Sequence, residues 1–282
     1  MGPPTEMLRS RQNPRVQAAR RIARDVREAR REGVLLADGI TLVREALQAR
    51  LAPQALFLDP ADSSAEAIRA EAALRGAAVA HVSAPVLRAI STLTTPQGAV
   101  GVFTRPRCEM ASLLAAADAG DRPLLAVFHG LQDPTNAGSL IRTACAAGLI
   151  GAVTTEGTVD PFHPRAIRAA MGACFRLPVC VDVPGETLWE SLRRGGYRIL
   201  SLDPRGDAPL SATLLEGPTA IMLGREGSGL DDRARSVCDR SIRIPMAPGV
   251  ESLGVAAAGA IVFYALAVLG GGSQTNSAGR GV

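Results

Sequence analysis

The sequence predicts an α/β protein in two parts, a small α/β domain followed by a larger domain built on a mainly parallel sheet. Three observations predict it. Short apolar runs alternate with segments of helical periodicity along most of the 282 residues, the pattern of βα units. The length suits two domains at roughly 100–200 residues each. Three polar, glycine-bearing segments also stand where buried strands end, and that crevice is where open α/β sheets place ligands.

Taken in order, Arg9 to Arg31 ("RSRQNPRVQAARRIARDVREARR") is crowded with arginine. Val16, Ala19, Ile22, Ala23 and Val26 recur at helical spacing and leave the arginines on the other faces. Two readings stand: a solvated helix with acidic neighbours Asp25 and Glu28, or a surface for RNA phosphates carried by Arg9, Arg11, Arg15, Arg20 and Arg21. "VLLA", "ALFLD", "AAVAHV" and "AVGVF" then read as strands, with helices over 41–50, 63–75 and 84–90. Residues 1–103 make the first domain. The segment 104–122, with two early prolines, an Ala-rich middle and Gly-Asp-Arg near its end, reads as the connection.

From Pro123 the alternation resumes. Strands are expected near 124–129, 150–154, 197–202, 219–223 and 240–244, and helices near 137–148, 164–171, 186–194 and 252–268. Residues 123–269 make the second domain, and the Gly/Ser-rich 270–282 is expected to be a disordered tail.

Composition removes several classes. All 31 basic residues are arginine, so neither a Walker A lysine nor a lysine Schiff base is available. Five scattered cysteines without C-x-x-C spacing give neither a disulfide framework nor a zinc site, and His81, His129 and His163 are isolated. The polar, basic start carries no secretory signal, and "VAAAGAIVFYALAVL" is too short to span a bilayer. A cytoplasmic protein without membrane association is expected. The net charge of +4 points to an anionic partner.

The three strand-end segments are "DPTNAGSLIRTA" (133–144), "IMLGREGSGL" (221–230) and "IPMAPGVESLGVAAAGA" (244–260). Gly224, Gly227 and Gly229 give G-x-x-G-x-G, which is not the dinucleotide fingerprint. In this order the segments resemble the SpoU/TrmH family of RNA ribose 2′-O-methyltransferases, of the SPOUT class. The first carries Asn136, Gly138, Arg142 and Ala144; the second Leu223, Gly224, Glu226, Gly229 and Leu230; the third Ile244, Pro245, Met246, Glu251, Ser252, Leu253 and Val255. Between them Pro161, Arg168, Gly172 and Phe175 also fall in place. Where the family usually has Asn, this chain has Gly254. Less specifically, Arg11-Gln12-Asn13-Pro14 and "LLADGITLVREAL", with Asp38 as the acid before Gly39, resemble the family's N-terminal substrate-binding domain.

The resemblance implies a C-terminal parallel sheet with a deep trefoil knot, a homodimer, S-adenosyl-L-methionine as methyl donor, and RNA as substrate, rRNA ahead of tRNA. It implies Asn136, Arg142, Glu226 and Ser252 as catalytic, and Leu223, Gly224, Gly229, Ile244, Met246, Ser252 and Leu253 as the cofactor-binding set. Arg168 joins the RNA-binding arginines. Asn136 could also cap its helix, and Ser252 could be only the N-cap of the last one. Because a guanidinium stays protonated, Arg142 suits electrostatic stabilisation of the hydroxyl at least as well as proton removal. A binding protein that has lost turnover is the alternative that Gly254 raises.

Overall fold

A computed structural model describes residues 7–115, 123–211, 214 and 217–269. The expected disordered tail and most of the connection's Ala-rich stretch lie outside the described residues. The chain folds as two compact units, each discontinuous in sequence. One takes the chain up to Arg107 together with Asp133–Arg142 and Val159–Pro178; the other takes Cys108–Gln132, Thr143–Thr158 and everything from Val179.

The first unit holds a five-stranded sheet in the order β1-β4-β3-β5-β2, from β1 (Met7–Leu8), β2 (Val34–Asp38), β3 (Pro53–Leu58), β4 (Val79–Val82) and β5 (Ala99–Thr104). β1, β4 and β3 are parallel, and β5 runs antiparallel to both β3 and β2. Helices α3 (Ile40–Gln48), α4 (Ala65–Ala73) and α5 (Ala84–Ile90) fall where the periodicity predicts. The arginine-rich stretch is two helices, α1 (Pro14–Arg24) and α2 (Val26–Arg31). The break is Asp25, whose extended backbone ends the first and whose carboxylate accepts from the N–H groups of Arg27 (2.9 Å) and Glu28 (3.1 Å) to cap the second. Asn13 caps α1 with Pro14 following, so the Asn-Pro pair is a helix start. Val16, Ala19 and Ile22 bury their stripe in a core with Val86, Leu87, Ile90, Leu36 and Phe57. Each large aliphatic side chain so buried contributes roughly 1.5–3 kcal/mol.

The second unit holds seven parallel strands in the order β10-β12-β9-β11-β6-β7-β8. They are β6 (Leu124–Phe128), β7 (Gly151–Thr155), β8 (Val179–Val183), β9 (Arg198–Leu202), β10 (Ala208–Pro209), β11 (Thr219–Leu223) and β12 (Arg240–Arg243). β6, β7 and β11 are buried along their whole length, as strands of a two-face-covered parallel sheet should be. Four of its elements carry no sequence expectation: β8, β10, α6 (Met110–Ala115) and α10 (Asp232–Ser236). α6 lies in the segment read as a connection, and its Leu113 joins the core of Trp189, Leu192 and Leu125. The remaining helices are α7 (Pro134–Ala146), α8 (Pro164–Ala169), α9 (Gly185–Arg194) and α11 (Val255–Leu269). The division between units falls inside α7. Among the described residues no helix is long and apolar enough to cross a membrane.

Candidate active site

β11 ends at Leu223, and at Gly224 directly after it an added Cβ would stand 2.5 Å from the Leu230 nitrogen and 2.6 Å from the Gly229 carbonyl oxygen. Only glycine lets the chain fold back so closely. The N–H of Arg225 donates to the Gly229 carbonyl (3.0 Å) and the Gly229 N–H returns to the Arg225 carbonyl (2.9 Å), closing a tight loop. Gly227 (φ 84°) and Gly229 (φ 69°) occupy the left-handed region that the loop requires.

Beside this loop stand the ends of β9 and β12 and the chain entering α11. Together they enclose a cavity of about 780 Å³, lined by Leu202, Asp203, Pro204 and Arg205 after β9, residues 223–229 after β11, Ile244 and Met246 after β12, and residues 251–255 with Arg235 and Ala258. It sits at the C-terminal ends of three neighbouring parallel strands, the usual ligand position of an open α/β sheet. Its size is that of a small-molecule site.

Of the residues singled out in the sequence, Leu223, Gly224, Glu226, Gly229, Ile244, Met246, Ser252 and Leu253 all line this cavity. Glu226 is exposed, and its Oε2 accepts from the Gln132 N–H at 3.4 Å. The Gln132 side-chain amide donates to the carbonyls of Gly130 and Gly157, both at 2.9 Å, which fixes that N–H in place. Ser252 is exposed and is not the N-cap of α11: Gly254 holds that place, its carbonyl accepting from the Ala258 N–H at 2.9 Å. A Cβ at Gly254 would meet open space.

Asn136 and Arg142 stand on α7, within the segment Asp133–Arg142 of the first unit. Asn136 does not cap that helix. The Asp133 carboxylate does, accepting from the Thr135 N–H at 2.5 Å, and Asn136 lies in the first turn. This backbone bond holds the Asp133 carboxyl below its ordinary range. Asn136 is half-buried and Arg142 exposed. Gly138 is required because a Cβ would collide with the Ala166 carbonyl oxygen of α8.

Of the arginines read as an RNA surface, Arg9, Arg11 and Arg21 are exposed, while Arg15, Arg20 and Arg168 are half-buried. Arg21 is engaged with Glu28 (3.1 Å) and Glu32 (2.6 Å). The buried Nε of Arg20 has no hydrogen-bond partner among the described residues.

Four charged lining residues carry no sequence assignment: Asp203, Arg205, Arg225 and Arg235. Asp203 accepts from the Arg205 N–H (2.8 Å) and pairs with Arg235 (3.0 Å). Those two partners, the backbone N–H first, hold its carboxyl below the usual carboxylate range. The turn residues "DPRG" directly after a buried strand were the available signal. His129, isolated in the sequence, bridges Asp231 Oδ2 (2.9 Å) and Thr155 Oγ1 (3.0 Å) at the end of β6.

Residues 123–264 match the SpoU rRNA Methylase family, and residues 13–101 match the MRM3-like substrate binding domain. The chain is 30% identical over 238 residues to the uncharacterized tRNA/rRNA methyltransferase Rv0881 of Mycobacterium tuberculosis, spanning 83% of this chain and 80% of that one. It is 31% identical over 186 residues to the 23S rRNA (guanosine(2553)-2′-O)-methyltransferase RlmP of Bacillus subtilis, covering 66% of this chain and 71% of the relative. Among solved structures, the AdoMet-bound rRNA methyltransferase from Sinorhizobium meliloti superimposes with a TM-score of 0.80 at 25% identity, over 92% of this chain and 96% of that one. The glycine-bound loop, the cavity at the strand ends and a match over half the sequence agree: the chain belongs to the SpoU rRNA methylase family.

Proposed function

We propose that this protein transfers a methyl group from S-adenosylmethionine to a ribose 2′-hydroxyl of RNA, with rRNA as substrate. The observation that carries the reading is the cavity at the ends of β9, β11 and β12, where apolar Leu223, Ile244, Met246 and Leu253 converge with the acid Glu226. The cavity suits that cofactor in size, in its apolar walls for a purine, and in the close backbone approach at Gly224. The AdoMet found in the Sinorhizobium meliloti relative and the 2′-O-methylation in the Bacillus subtilis relative's name support the same reading.

When bound, the cofactor would supply an electrophilic methyl on a sulfonium, with the oxygen–carbon bond forming as the carbon–sulfur bond breaks to leave a neutral thioether and the hydroxyl proton passing to water. A ribose hydroxyl is almost wholly protonated at neutral pH, and the protein's task is to align it and stabilise its developing negative charge. Arg142 serves as a fixed cation for that charge, since a guanidinium is a poor base. Asn136, in the first turn of α7, orients substrate. Glu226, steadied by the Gln132 N–H, orients a donor by a charge-assisted hydrogen bond. Ser252 and Leu253 close the cavity wall at the entry to α11.

Residues 1–103 serve as the RNA reader and 123–269 as the methyltransferase domain, in keeping with the two family matches. The protein works in the cytoplasm as a homodimer. α11 offers Ile261 (43% exposed) and Tyr264 (65% exposed) on one stripe for a second copy.

The test is incubation of the protein with tritiated AdoMet and unmodified rRNA or tRNA, followed by digestion to nucleosides. Label is expected in a 2′-O-methylnucleoside from rRNA, and Arg142→Ala should cut the rate at least about a hundredfold with cofactor affinity unchanged. Label from tRNA alone would reassign the substrate. Bound AdoMet without any label would favour an RNA-binding protein that has lost turnover, the reading that Gly254 supports.

A further inference from the structure

Arg225 follows Gly224 and precedes Glu226, and its side chain is exposed on the cavity wall. Neither the motif match nor the proposed chemistry gives it a task. Its surroundings are nonetheless built to hold it. The Arg225 backbone is closed on both sides by its hydrogen bonds with Gly229. Its stem then lies along Gly130: a Cβ there would stand 2.6 Å from the Arg225 Nε, 3.0 Å from its Cγ and 3.4 Å from its Cδ. Gly130 is itself fixed, its N–H donating to Thr158 Oγ1 (2.9 Å) and its carbonyl accepting from the Gln132 amide (2.9 Å). The glycine, at φ 72°, thus provides a trough for an arginine stem.

The charge at the end of that stem is not consumed locally. Asp231, the acid whose carboxyl its charge helps to lower, is occupied by the His129 ring (2.9 Å) and the Ala234 N–H (2.8 Å). The cavity's Arg235 is paired with Asp203. Among the described residues Arg225 has no ion pair. A guanidinium held in place at its base, exposed and unpaired is a fork for an oxyanion, and a phosphodiester matches its planar geometry in a bidentate contact.

We propose that Arg225, seated on Gly130, binds a backbone phosphate of the RNA next to the ribose being methylated. This inference rests on the proposed RNA methyl transfer. The phosphate contact fixes the register of the target nucleotide at the cavity mouth, as phosphate contacts do without reading bases. Gly130 is then a positioning residue, acting only through the arginine.

The test compares the intact protein with Arg225→Ala and Arg225→Lys, using unmodified rRNA and tritiated AdoMet across a series of salt concentrations. Removing one phosphate-neutralising cation should flatten the slope of log(kcat/KM) against log[salt] by about 0.7–0.9. Arg225→Ala is expected to show that flattening and a loss of about tenfold in kcat/KM for RNA near 0.1 M salt, through KM, with the Kd for AdoMet within about twofold. Arg225→Lys should recover the slope and only part of the affinity, because an ammonium keeps the charge and loses the fork. An unchanged slope in Arg225→Ala overturns the proposal. So does an AdoMet affinity that falls as far as kcat/KM, which would place the guanidinium on the cofactor's carboxylate. Absence of any methyl transfer by the intact protein would instead remove the proposed function, and the inference with it. Equal melting temperatures for the three proteins check that the exposed substitution leaves the fold intact.

Discussion

Gly224 shows how much a single position decides at the cavity. The atoms that a Cβ would meet belong to the backbone of Gly229 and Leu230, so no side chain can rotate away to make room. Gly224→Ala should therefore lower stability by about 1–3 kcal/mol and displace the 225–229 loop, weakening AdoMet binding at least about tenfold. Thermal melting and titration calorimetry read the two effects, and unchanged affinity would show that the loop does not shape the cofactor site. Gly224, Gly229 and Glu226 were legible because motif order and strand-end position both marked them. The caps were not. Asn136 and Ser252 are good capping residues by type, yet Asp133 and Gly254 take those places, because the actual cap depends on which residue leaves the helical backbone first. Asp203, Arg205, Arg225 and Arg235 were not legible for a different reason: they lie on three separate segments that only the folded chain brings to one cavity.

At the scale of elements, apolar periodicity located the long helices and buried strands and missed the short ones. β1 and β10 are two residues each, α10 is five, and β8 has only Val179 and Cys180 fully buried. None is long enough to establish a period. The single helix expected across the arginine-rich stretch becomes two because Asp25 can cap as well as continue. A second cap makes a pH prediction. His163 opens α8 by accepting the Arg165 N–H on Nδ1 at 3.0 Å, which only the neutral ring can do. Burial, and then the Arg165 charge, lower its pKa from the ordinary 6.5. In the unfolded chain His163 binds protons more readily, so the stability it contributes is complete above pH 6.5 and declines as pH falls through the lower folded value. The loss should be about 1 kcal/mol, the worth of an N-cap. Melting curves between about pH 7.5 and about pH 5 should show a decline that is reduced in His163→Asn, whose side chain caps without titrating; an equal decline in both would place the pH sensitivity elsewhere.

For the whole molecule, the family matches divide the chain near residues 101 and 123, whereas the packing of the chain cuts it differently. Segments Asp133–Arg142 and Val159–Pro178 lie within the methyltransferase sequence but pack into the unit of the N-terminal sheet. A reading along the sequence assumes that neighbours in the chain stay neighbours in space, so it places a boundary at the connection and has no means of placing one through α7. The tie between these segments is specific. Arg105, just past β5, makes a bidentate pair with Asp160 at 2.7 and 2.9 Å, lies 4.5 Å from the centre of the Phe162 ring, and both charged side chains are about nine-tenths buried. Arg176 pairs with Glu45 of α3, and α8 packs on β2. Losing one member of a buried pair leaves an uncompensated charge worth about 3–5 kcal/mol. Arg105→Gln should accordingly lower stability by about that much, and hydrogen exchange should show where. Amides of 159–178 are expected to lose protection while those of β6, β9 and β11 keep theirs, since those strands pair with one another in the seven-stranded sheet. If protection instead falls evenly through both sheets, the molecule unfolds as one cooperative body. If 159–178 stays protected, that segment is held by the methyltransferase sheet, and the boundary legible in the sequence is the physical one.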